Sequence, residues 1–106
     1  MSRAAPPRID ALEFEGLRYA QIINGELEGL AQRTGFLSIT DIATGRRVAT
    51  IMAYPVAFDP DEEADVQDVF FTRMELEALN RRLLVRSERR QGVYIAIDGH
   101  ALTPAP

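Results

Sequence analysis

Cysteine, lysine and tryptophan do not occur in this chain of 106 residues, and histidine occurs once, as His100. Without cysteine there is no disulfide, no thiolate nucleophile and no sulfur-ligated zinc or iron centre, so packing alone must hold the fold. Without lysine there is no Schiff base, no P-loop phosphate clamp and no lysine general base. The 12 basic residues are all arginine, a bias that GC-rich bacterial coding produces. His100 has no second histidine or cysteine with which to share a metal or activate a nucleophile, and is expected to be solvated. No stretch approaches the roughly 20 apolar residues that span a bilayer, and the N-terminus lacks the apolar run of a secretory signal. These absences predict a cytoplasmic protein with no membrane contact.

What is present is the composition of a globular chain: 46% apolar and 26% charged residues, with a net charge of −4. A chain of this size buries roughly 65% of its unfolded surface, enough for one core. Residues 1–8, with Pro6 and Pro7, and 101–106, with Pro104 and Pro106, are expected to be disordered tails flanking a single β domain at 9–100.

Gly16, Gly25, Gly35 and Gly45 divide the first half into short segments rich in apolar and β-branched side chains, the rhythm of an antiparallel meander. In 9–15, Leu12 and Phe14 alternate with Glu13 and Glu15, the period of a half-buried strand. A second strand over 17–23 runs into Asn24-Gly25, a strong reversal signal. Residues 26–33 suit a loop or one helical turn. Residues 35–43, Thr44-Gly45-Arg46 and Val48 through Phe58 read as a hairpin whose second strand is central, with Pro55 forcing a bend or bulge.

The run Gly35-Phe36-Leu37-Ser38-Ile39-Thr40-Asp41-Ile42-Ala43-Thr44-Gly45-Arg46 resembles the middle hairpin of a quinoprotein-type propeller blade, with its Asp-x-x-Thr-Gly-basic turn. Such blades carry Trp where this chain has Ala49, and a propeller needs about four blades or more. The resemblance therefore implies hairpin geometry and no function. It also implies that the Asp41 carboxylate and Thr44 hydroxyl bind turn amides.

Residues 69–90 admit two readings. Thr72 and Glu75 form a capping-box pattern ahead of good helix formers, which suits a helix at 73–90. Strand periodicity sorts the residues better: Phe70, Met74, Leu76 and Ala78 fall against Arg73, Glu75 and Glu77, and Leu83 and Val85 follow a turn near Asn80-Arg81. The strand reading is favoured. Gln91-Gly92 then closes a further hairpin into 93–97, which ends at Asp98-Gly99. Adjacent Phe70 and Phe71 point to opposite faces, so either the sheet curls or another subunit covers one of them. The expected fold is all-β, a small antiparallel barrel or sandwich of about six to seven strands.

No catalytic, cofactor-binding or metal-binding residue is predicted. Ser38 and Ser87 lie in strands, outside any Gly-x-Ser-x-Gly context. The acidic run at 59–68 lacks the glycine and distal Glu of a calcium loop and reads as a solvated connection. Arg81, Arg82, Arg86, Arg89 and Arg90 form a basic cluster, but no aromatics interleave it and the chain is acidic overall, which argues against nucleic acid. The acidic run and the cluster are instead expected to complement each other, within one chain or between two copies. The function expected from these features is a non-enzymatic module acting through a protein partner or self-association. The alternative is a barrel that binds a small ligand in its interior.

Overall fold

The computed structural model describes residues 8–57, 60–61 and 67–106. It contains two four-stranded antiparallel meanders. The first comprises β1 (Leu12–Phe14), β2 (Leu17–Ile22), β3 (Phe36–Asp41) and β4 (Arg47–Met52), and the second β5 (Phe71–Glu77), β6 (Arg82–Ser87), β7 (Gly92–Ala96) and β8 (Leu102–Pro104). Each sheet follows chain order, so among the described residues the chain crosses from one sheet to the other once, after Met52 and before Phe71.

The two sheets face each other as a sandwich, each covering the main apolar face of the other. Ladder rows show the alternation directly. Leu12, Tyr19, Ile39 and Ala49 form one inward row of the first sheet, and Leu76, Leu83, Ile95 and Leu102 one row of the second. Tyr19, Leu37, Ile39, Phe71, Leu83, Val85 and Ile95 form one fully buried cluster shared by both sheets. The barrel alternative falls here: each sheet ends in free edges, and the interior is filled by side chains. The helix alternative at 73–90 falls as well, since that segment is β5, a 3-10 turn at Ala78–Asn80, and β6.

The hairpin at β3–β4 turns as its local resemblance implied. Asp41 Oδ1 accepts from the amides of Ala43 and Thr44, Thr44 Oγ1 accepts from Arg46, and Gly45 takes φ +73° at the corner. A further expectation agrees, in that β2 ends at Ile22 and Asn24 caps a single 3-10 turn at Gly25–Glu28 before β3 begins at Phe36. Other expectations are corrected. The strand expected to continue to Phe58 and to be central stops at Met52, well before Pro55, and is an edge. The β6–β7 reversal lies at 88–91, with Arg90 at φ +63°, and Gly92 already belongs to β7. The segment read as a C-terminal tail carries β8, paired to β7. Phe70 is buried to 4% exposure within a single chain, so no second subunit is needed to cover it.

Polar groups pin the end of the crossover to the first sheet. The Val69 amide donates to Thr34 Oγ1 at 3.0 Å and the Phe71 amide to Gln21 Oε1 at 2.7 Å. The Arg33 guanidinium meets Asp68 at 3.1 Å, largely buried. Gly35 completes this seam at φ +93°, where an added Cβ would lie 2.7 Å from the Tyr54 carbonyl oxygen. Any side chain there would push the seam apart.

Candidate interaction surface

After Met52 the chain turns inward, and Ala53 and Tyr54 are buried. Tyr54 is held at three points: its hydroxyl donates to the Val69 carbonyl, its ring packs at a tilt 5.9 Å from that of Phe71, and its own carbonyl accepts from Gln32 Nε2 at 2.9 Å. The Ala53-Tyr54-Pro55 segment forms one wall of an open groove of about 470 Å³. Val93, Leu102 and Pro104 from β7 and β8 line it as well, together with Arg90 and Gln91 from the β6–β7 turn. Burial raises the Tyr54 phenol pKa, with Glu88 adding to the effect, so the group stays neutral and is unsuited to acid–base work near neutrality. The groove therefore offers apolar contact surface with one arginine beside it.

A second cluster stands where the β1–β2, β5–β6 and β7–β8 turns meet. Arg81 donates to both carboxylate oxygens of Glu15, at 3.0 and 2.8 Å, and to both of Asp98, at 2.7 and 3.1 Å. Its guanidinium also lies 5.9 Å from the Phe14 ring centroid. These hydrogen bonds hold the Glu15 and Asp98 carboxyls below their ordinary values and raise Arg81. Glu15, Arg81 and nearby His100 all have positive φ, a conformation that costs a non-glycine residue about 1 kcal/mol or more. Beneath the cluster lies Tyr19, 1% exposed, whose hydroxyl has no hydrogen-bond partner among the described residues. Its pKa is raised by burial first and then by the Glu15 charge. The cluster is a clasp between the two sheets, and its arginine is too tightly paired to serve as a base.

The basic cluster disperses in three dimensions. Arg81 belongs to the clasp, Arg82 pairs with Glu77 at 2.7 Å and stacks 3.7 Å over the Tyr94 ring, and Arg86 donates to the Pro106 carbonyl at 2.6 Å. None of these partners comes from the acidic run. Within that run, Asp59 and 62–66 lie outside the described residues, and Asp68 meets Arg33. Among the described residues no group of three His, Asp or Glu is placed to hold a metal ion. Ser38 donates to the Ala20 carbonyl, and Ser87 accepts from the Arg89 amide, both structural roles. His100 stands in the β7–β8 turn, at the opposite end of β6 and β7 from Ser87. No described helix is long and apolar enough to cross a membrane, which says nothing of strands.

Neither the groove nor the clasp was expected from the sequence. Each joins residues far apart in the chain, and the only local signs are the acid–glycine pairs Glu15-Gly16 and Asp98-Gly99 that mark two of the clasp turns. No protein-family model matches this chain, and neither a curated protein nor a solved structure matches it.

Proposed function

We propose that this chain is a non-enzymatic contact module, bacterial and cytoplasmic, that receives an extended, mainly apolar segment of a protein partner in the groove between 53–55 and β8. The observation that supports this reading is where the unfilled volume lies. The interior is closed by side chains such as Leu37, Ile39 and Leu83, all at 0% exposure, while the groove is open to the surface and mostly apolar. Surfaces of that kind are typical of protein contacts. Arg90 and Gln91 in the lining suit an acidic or amide group on the partner.

Site-specific photocrosslinking in the native host tests the proposal. A photoreactive side chain at Leu102 should yield a discrete protein adduct, and one at Glu75 on the outer face should not. Equal labelling from both positions, or none from Leu102, would overturn the docking surface. A second reading, a small apolar ligand in the same groove, draws on its volume, which falls in the roughly 300–1,000 Å³ range of ligand sites. Saturable binding of an apolar fluorescent dye, abolished by Leu102→Arg, would favour that reading.

A further inference from the structure

A sheet edge with unpaired amides and carbonyls invites another strand, and folded proteins blunt such edges with proline, charge, bulges or short length. Three of the four edges here are blunted. β1 has only three residues. β5 carries three charged side chains, Arg73, Glu75 and Glu77. β8 has only three residues; the backbone groups of Leu102 and Pro104 point away from β7, because Ala101 and Ala105 bond to it, and Pro104 has no amide to offer.

β4 differs from all three. The Ala53 amide bonds to the Gly35 carbonyl at 2.7 Å, so Ala53, Ile51 and Ala49 face β3 in the ladder, and the amides and carbonyls of Thr50 and Met52 face outward. A bulge at Val48 shifts the β3–β4 register between Ile39 and Thr40, and beyond it the ladder is regular over Ala49–Met52 with no proline and no charged side chain; among the described residues no strand pairs with β4 except β3. Val48 is 52% exposed and Met52 38%. Arg47 is neutralised by Glu28 at 3.0 Å.

We propose that β4 pairs antiparallel with β4 of a second copy, about a two-fold axis through Thr50, joining the two first sheets into one continuous sheet. This surface is separate from the groove, and the inference does not rest on the function proposed above. The strand is self-complementary in that register. Thr50 exchanges backbone hydrogen bonds with its own copy, and Val48 lies opposite Met52 of the other chain, so each covers an apolar group the other leaves exposed. Charge agrees with the same polarity. Arg46 stands just before β4, and Glu26 lines a hollow with Val56, which follows β4 in the chain, and with Arg33, whose charge is met by Asp68. Neither has an ion pair among the described residues, and antiparallel pairing brings the basic end of each copy toward the acidic end of the other.

Sedimentation equilibrium on the full chain provides the test. The wild type should form a concentration-dependent dimer, weakened by salt. Thr50→Pro removes only an outward-facing amide, and should weaken the dimer at least tenfold while the β-sheet dichroism is retained. Arg46→Glu and Glu26→Arg, both at exposed positions, should each weaken it, and the double exchange should restore it. Amide exchange at Thr50 and Met52 should slow as concentration rises. A monomer at every concentration up to about 1 mM, a dimer indifferent to Thr50→Pro, or a double exchange that restores nothing would overturn the pairing.

Discussion

The two meanders share a topology but turn their corners with different chemistry. In the first, Gly16 and Gly45 occupy the left-handed positions of the β1–β2 and β3–β4 turns, with Glu15 sharing the former. In the second, Arg81 and Arg90 take those positions, and His100 joins Gly99 in the last turn. Arginine is an unfavourable residue there, so the second meander's turns are held by what surrounds them: Arg81 by its two carboxylates, and the Arg90 turn by the two hydrogen bonds between Glu88 and Phe70. The difference teaches that a turn can be specified by residue type or by tertiary contact, and only the first kind is visible in sequence.

Substitutions can break or sharpen this contrast. The largest effect is expected at the shared core, where both meanders are equal: Phe71→Ala should cost about 3–5 kcal/mol in chemical denaturation, whereas Val48→Ala on the open edge should change stability by less than about 0.5 kcal/mol. Tyr54→Phe should cost about 1–2 kcal/mol, because it strands the buried Val69 carbonyl at the join between the halves. Tyr19→Phe should act in the opposite direction, gaining about 1 kcal/mol by removing a hydroxyl that has no partner among the described residues. At the corners, Gly45→Ala should cost about 1 kcal/mol, while Arg90→Gly should be neutral or gain a few tenths. Equal losses at both would erase the distinction between the two kinds of turn.

The smallest effect is a pH dependence. Arg81 lowers the pKa of Glu15 and Asp98 in the folded chain, so the stabilisation they provide is present above the ordinary carboxylate range near pH 4 and is lost as pH falls below it. Arg81→Met should therefore be less stable than wild type at pH 7, and the gap should close on acidification. A gap that persists at about pH 2 would show that Arg81 contributes through packing on Phe14 rather than through charge.

Glycine spacing and period-two alternation revealed the first meander and favoured strands over a helix at 73–90, since Met74, Leu76, Leu83 and Val85 sort onto one face. The count of strands was low because β8 rests on Leu102–Pro104, a short proline-containing run whose only support is pairing with β7. β4 was read as central because Ile51, Ala53, Tyr54 and Val56 look like an uninterrupted buried strand, yet only the first lies in it. Ala53 and Tyr54 are buried by turning into the core after the strand has ended, with Val56 half-buried beside it, and local pattern does not distinguish those two routes to burial. The groove and the clasp stayed hidden for the same reason: 53–55 meets 102–105, and Glu15 meets Arg81 and Asp98, only after the sheets have stacked.

The polar seam at Gln21, Thr34 and Tyr54 has a thermodynamic consequence. Side chains of the first half satisfy the amides of Val69 and Phe71 at the threshold of the second, while the two sheets shelter each other's apolar faces in one core. Topologically the chain is two repeats of one ribbon, divisible anywhere in the crossover. Energetically it has no halves: prising the sheets apart exposes both oily faces and orphans the seam in a single event, so calorimetry should register one cooperative melting transition rather than two.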